Sequence, residues 1–137
     1  MRVSAPAGLV TLGLALSGAA LAAHHSIAGM YDTGREVAVE GAVAEFQFVN
    51  PHPFITLAVA DGSGRTRPWR LELDNRHELV GVGMSADTLK PGDRVIVSGN
   101  PGRGQADSLY IRSLRRPADG FFYEQVGTSP RIRVPAR

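Results

Sequence analysis

Four histidines, His24, His25, His52 and His77, offer the most specific chemistry in this chain of 137 residues. There is no cysteine, so a transition-metal site must draw on these imidazoles, on carboxylates and on a free amino terminus. Nitrogen-rich donor sets of that kind suit copper(II), nickel(II) or zinc(II). Two of the four stand beside a new terminus that the sequence pattern predicts. Arg2 is the only charge in the first 23 residues, an apolar run spans Ala7 to Leu16, and Ser17 to Ala23 is a small-residue stretch. That order is the order of a secretory signal, and Ala20-Leu21-Ala22 satisfies its A-x-A cleavage rule.

The two cleavage positions predict different sites. Cleavage after Ala22 would start the mature chain Ala23-His24-His25. The terminal amine, two amide nitrogens and the His25 imidazole then close three fused chelate rings around a square-planar ion, a geometry that selects copper(II) or nickel(II). Cleavage after Ala23 would make His24 the first residue. Its amine and imidazole would chelate one ion, and a second imidazole would complete a T-shaped set of three nitrogens. His52 is the best third donor, because the turn Asn50-Pro51-His52-Pro53 can hold it rigidly. This arrangement resembles the histidine brace of copper monooxygenases and of some copper-binding periplasmic proteins; the likeness is confined to the site. The candidate metal set is therefore His24, His25 and His52, with copper(II) as the ion. His77, between Arg76 and Glu78 at a predicted helix start, reads as exposed and not a ligand. A plainer reading stays open beside this one: a leader without structure, and a His52 that serves only its turn.

Other chemistry is poorly supported. Ser26 follows His25, but adjacency does not build a nucleophile and base, and no G-x-S-x-G elbow is present. Glu36 and Glu40 share a strand face and read as solvated. Trp69 falls on an apolar strand face and reads as core. Gly99 to Gly104 is glycine-rich but opens no helix and has no phosphate-loop lysine, so it reads as a hairpin loop. No catalytic residue is assigned. The formal charge is +2; residues 24–99 hold seven basic and ten acidic groups, and residues 100–137 seven and three. A basic tail of this sort could lie on an anionic surface, yet nothing interleaves basic and aromatic residues as nucleic-acid binding requires.

Removing residues 1–22 leaves a length that suits one domain. No later segment is long and apolar enough to span a bilayer. Strands are predicted over Arg35 to Val49, Phe54 to Ala60 and Thr66 to Leu73. In the third, Trp69, Leu71 and Leu73 face inward while Arg70 and Glu72 face outward. Apolar positions in the first strand change phase between Val43 and Phe46, which needs an extra residue or bend, and Gly41 is the nearest candidate. Asp74-Asn75 caps a short helix from Arg76 to about Val82. Strands Arg94 to Ser98 and Ser108 to Arg115 follow, joined by a loop from Gly99 to Asp107. Three strands, a helix and two strands are the order of a five-stranded OB-like barrel, placed at residues 24–116. From Pro117 the sequence reads as an irregular basic tail, residues 117–137, whose short apolar pieces Phe121-Phe122-Tyr123 and Ile132-Arg133-Val134 either cover the barrel or trail away.

Several stretches recur together in a way that resembles a family of small exported bacterial proteins of unknown function. They are His24-His25-Ser26, Tyr31-Asp32, Asn50-Pro51-His52, Trp69-Arg70-Leu71-Glu72, Leu79 to Gly83, and Leu89-Lys90-Pro91-Gly92-Asp93 before Val95-Ile96-Val97. The likeness spans residues 24–116. Pro53-Phe54 stands where similar proteins carry an aromatic directly after Asn-Pro-His, and residues 79–84 lack an arginine and a tryptophan seen in such proteins. The resemblance implies an exported single domain and brings no activity with it. The sequence thus predicts a periplasmic binding protein with a copper-like ion, or else a metal-free envelope module that docks a partner on the barrel face or on the edge of the fifth strand. Intact mass of the exported protein is expected to show a start at Ala23 or His24; any later start would remove the histidine pair from the site.

Overall fold

Period-two alternation decides where strands form. Ile55 and Leu57, and again Leu71 and Leu73, are fully buried, while the residues between them lie on the other face of the pleat. The computed structural model describes residues 27–135; the stretch expected to be a signal segment, together with His24 and His25, lies outside the described residues. The elements are β1 (Val37–Gln47), β2 (Phe54–Ala60), β3 (Thr66–Glu72), α1 (Arg76–Gly81), β4 (Arg94–Pro101), β5 (Ser108–Arg116), β6 (Phe121–Val126) and β7 (Ser129–Arg133). The sheet order is β3-β2-β1-β4-β5-β6-β7, with a further pairing of β3 to β5. That pairing is parallel, from Arg70 opposite Ser108 to Glu72 opposite Tyr110. It closes β1 to β5 into a five-stranded barrel with a short helix between strands three and four, as the element order predicts.

Inside sit Val43, Ile55, Leu57, Leu71, Val95, Val97, Leu109 and Ile111. Helix α1 begins as its sequence dictates: the Asn75 side chain accepts from the His77 amide at 2.8 Å, satisfying an otherwise unpaired donor of the first turn. It contributes Leu79 to the core, and Met84 and Leu89 follow it in. Burying one such leucine is worth about 1.5–3 kcal/mol.

Three expectations are corrected. The phase change in β1 is real, but the extra residue is Ala44: Val43 opposes Leu57 and Glu45 opposes Thr56. Gly41 serves close approach instead, since a Cβ there would lie 2.3 Å from the Ala58 carbonyl oxygen. Strand β4 runs on to Pro101, because Gly99, Asn100 and Pro101 pair with Ile111, Tyr110 and Leu109; the loop shortens accordingly. Most importantly, residues 121–133 are not an irregular tail. They form a hairpin joined to β5, with Phe121, Tyr123 and Gln125 buried and Phe122 and Glu124 half-buried between them. Gly127, at φ 62°, opens the two-residue loop, a position that demands positive φ. The edge of β5 is thereby covered, so it offers no docking edge; β7 is the outer strand.

Arg116 ties this hairpin to the barrel. Its guanidinium donates to Asp93 Oδ2 at 2.6 Å, to the Thr88 carbonyl at 2.8 Å and to both carboxylate oxygens of Asp119 at 2.8 and 3.0 Å. The hydrogen bonds from Arg116 hold the Asp119 carboxyl below its usual value of 3.8. A lowered folded-state value adds stability at neutral pH that disappears as pH falls through it. Arg116→Met is expected to cost about 2 kcal/mol in denaturant unfolding at pH 7. The acid limb of its stability profile should also be shallower than that of the parent.

Candidate functional site

At one end of the barrel the turn 50–53 and the end of β3 hold His52 in place. The peptide Asn50–Pro51 is cis. Pro51 and Pro53 carry no N–H, but both of their carbonyls are used: Pro51 accepts from the Arg76 amide and Pro53 from the Leu73 amide, each at 2.9 Å. Between them, His52 Nδ1 lies 3.0 Å from the Leu73 carbonyl oxygen and 3.6 Å from Glu72 Oε1. A carbonyl can only accept, so Nδ1 is the donor, and in the neutral ring the lone pair is then on Nε2. Metal-ligating histidines are oriented in just this manner, by a backbone carbonyl or carboxylate behind the ring.

Glu72 is not outward and solvated as alternation suggests. It points away from the barrel interior, but the chain before β1 covers it, leaving it 7% exposed. Its Oε2 accepts from the Tyr31 hydroxyl at 2.6 Å. Tyr31 in turn follows one helical turn, residues 27–30, which is fixed to the β4–β5 loop. The Asp32 amide donates to the Pro101 carbonyl, the Arg103 amide to the Met30 carbonyl, both at 2.8 Å, and Arg103 Nε to the Tyr31 carbonyl at 3.2 Å. Two arginines of the basic C-terminal part, Arg103 and Arg116, are therefore structural clamps.

A cavity of about 470 Å³ opens here, and its lining brings together Ile27 and Ala28, His52, Asp74 and Glu78, Tyr110 and Arg112, and Gln125 and Thr128. The sequence singled out His52 alone among these. Asp74 accepts from the Asn75 amide at 2.7 Å and from the Gln125 side chain, and Gln125 accepts from the buried Tyr123 hydroxyl at 2.8 Å. Gln125 and Thr128 belong to the unexpected hairpin, and no local pattern announces that β6 returns to this end. His77 lies exposed on α1 and is absent from the lining, as expected. Among the described residues no group of three or more His, Asp or Glu side chains is placed to hold a metal ion. His24 and His25 lie outside them, so the structure brings His52 to the pocket and leaves those two to proposal. No helix among the described residues is long and apolar enough to cross a membrane.

Residues 12–110 match the model of a family of unknown function, DUF6152. The chain belongs to DUF6152. The matched stretch contains His24, His25, His52, Tyr31, Glu72 and Tyr110, and it ends before Arg112 and the β6–β7 hairpin, so one wall of the pocket lies outside the DUF6152 match. No curated protein matches the chain.

Of the chain's three tyrosines, Tyr110 lines the pocket, Tyr31 packs on it and Tyr123 bonds to the lining residue Gln125; burial pushes each hydroxyl well above its ordinary value of 10.0. For Tyr31, the hydrogen bond to Glu72 adds to burial. A raised value means that the stabilisation is complete below pH 10 and is lost as pH climbs through the folded-state value. Spectrophotometric titration should show no tyrosinate near pH 10, followed by release of all three in one step with alkaline unfolding. Tyr31→Phe should remove part of that steepness and cost about 1–2 kcal/mol at pH 7.

Proposed function

We propose that the protein is an exported, periplasmic binding protein that holds a copper-like ion through His52 and the histidines of its processed amino terminus, His24 and His25. The observation that carries this reading is the arrangement of His52: Nδ1 is committed to the Leu73 carbonyl, and the ring lines the same cavity as Ile27 and Ala28. His25 precedes Ile27 by two residues and His24 by three, a chain length of roughly 7 and 10 Å at full extension. The histidine pair is thus within reach of His52 without disturbing the Tyr31 anchor. Donors of this type, together with a terminal amine, favour copper(II) over zinc(II).

The family resemblance adds its weight through the joint occurrence of His24-His25-Ser26 and Asn50-Pro51-His52. A metal-free docking module is less well supported. The outer strand β7 carries Pro130, Arg131 and Arg133, residue types that discourage strand addition. Copper(II) titration of the processed protein should give one-to-one binding, with nitrogen hyperfine structure in the electron paramagnetic resonance spectrum. His52→Ala should weaken binding at least tenfold with the fold retained by circular dichroism. Equal affinity in that variant would take the turn out of the site, and no binding by the processed parent would remove the metal.

A further inference from the structure

The pocket at His52 contains a second feature, and it does not depend on a metal. Strand β5 changes partner along its length: residues 108–110 pair with β3, and residues 113–116 pair with β6. Between the two, β5 also slips against β4, since Ser98 opposes Ser113 while Gly99 opposes Ile111. Arg112 is the extra residue. A bulge re-aims its side chain, and here the side chain lines the notch left where β3 and β6 part.

The hydrogen-bonding inventory of this notch is unbalanced. Its carboxylates are occupied: Asp74 by Asn75 and Gln125, and Glu72 behind it by Tyr31; Glu78 also has a partner. Arg112 makes no hydrogen bond or ion pair with any described residue, and neither does the Tyr110 hydroxyl two positions before it. A half-buried guanidinium left without an acceptor is costly unless something supplies one. Its planar fork fits a carboxylate in two parallel hydrogen bonds. The volume, about 470 Å³, lies within the range of small-molecule pockets, and Ile27, Ala28 and the Tyr110 ring provide apolar wall.

We propose that this notch binds a small organic monocarboxylate, with the carboxylate on the Arg112 guanidinium, the Tyr110 hydroxyl as a second donor and the ligand's apolar part against Ile27 and Ala28. Asp74 and Glu78 line the same cavity, and their carboxylates repel a second anionic group, so a single carboxylate is selected. The Tyr110 hydroxyl stays protonated, hence a donor, across the neutral range because burial raises its value.

The test uses processed protein freed of metal by chelator, titrated by calorimetry and by amide-shift NMR with benzoate, with benzamide as its uncharged counterpart and isophthalate as a dianion. Benzoate should saturate one-to-one, with shifts at Tyr110, Arg112 and Thr128. Isophthalate should bind at least fivefold more weakly and benzamide should show no saturation. Arg112→Met should lose at least tenfold in benzoate affinity, while its unfolding midpoint stays close to the parent's because Arg112 has no side-chain hydrogen-bond or ion-pair partner among the described residues to lose. Copper(II) binding by Arg112→Met should be unaltered, which separates this pocket from the histidine reading. Absence of saturable benzoate binding, equal binding of benzamide, or unchanged affinity in Arg112→Met would each overturn the proposal.

Discussion

Three residue pairs hold the architecture together. The parallel pairing of Arg70 to Glu72 with Ser108 to Tyr110 is the only one among the described strands that joins β3 to the far side of the sheet. Without it the strands would form an open, twisted sheet ending in β3 and β7. With it, β3 ends against β5, and Glu72 and Tyr110 are set opposite each other. Everything at the pocket end follows from that juxtaposition: the lead-in packs its Tyr31 ring on Tyr110, with centroids 5.8 Å apart, and reaches Glu72 with its hydroxyl. The turn at His52 then hydrogen-bonds to Leu73, directly after β3, and to Arg76 at the start of α1.

The pairing is also short, and that shortness makes the pocket. Twist separates parallel strands quickly, and β5 needs a new partner after Tyr110. The β6–β7 hairpin supplies it from Ser113 onward. The interval between the two partners is where Arg112 bulges and the cavity opens. A longer β3–β5 ladder would have filled the notch with backbone and left no room for side chains such as Gln125 to reach Asp74.

Legibility of these features in the sequence tracks how local their causes are. The bounds of β2 and the start of α1 could be read directly, because alternation at Ile55 and Leu57 and the Asn75 cap are written in adjacent residues. The barrel order was equally readable from element succession. The bulge at Ala44 was only half readable: a change of apolar phase says that one residue is extra but not which one, and Gly41 drew the assignment because its real role, making room for the Ala58 carbonyl, looks the same in one dimension. The hairpin 121–133 is hidden because glycine and proline around it resemble loop punctuation, while its alternation of Phe121, Tyr123 and Gln125 ends in a polar residue whose buried side chain donates to Asp74, 51 residues away. Of the pocket, His52 was visible since two prolines frame it. Arg112 was not, because a bulge on β5 is defined by its neighbour β4.

The anchoring of the lead-in has a consequence in time. Tyr31 is bonded to residue 72, and residues 28 to 32 to residues 101 and 103, so the complete anchor forms only after β3 and the β4–β5 loop have met. Contacts between such distant parts of the chain carry the largest loop-closure cost and come late in folding. Residues 28 to 32 therefore dock on the body only once folding has brought the two halves of the barrel together.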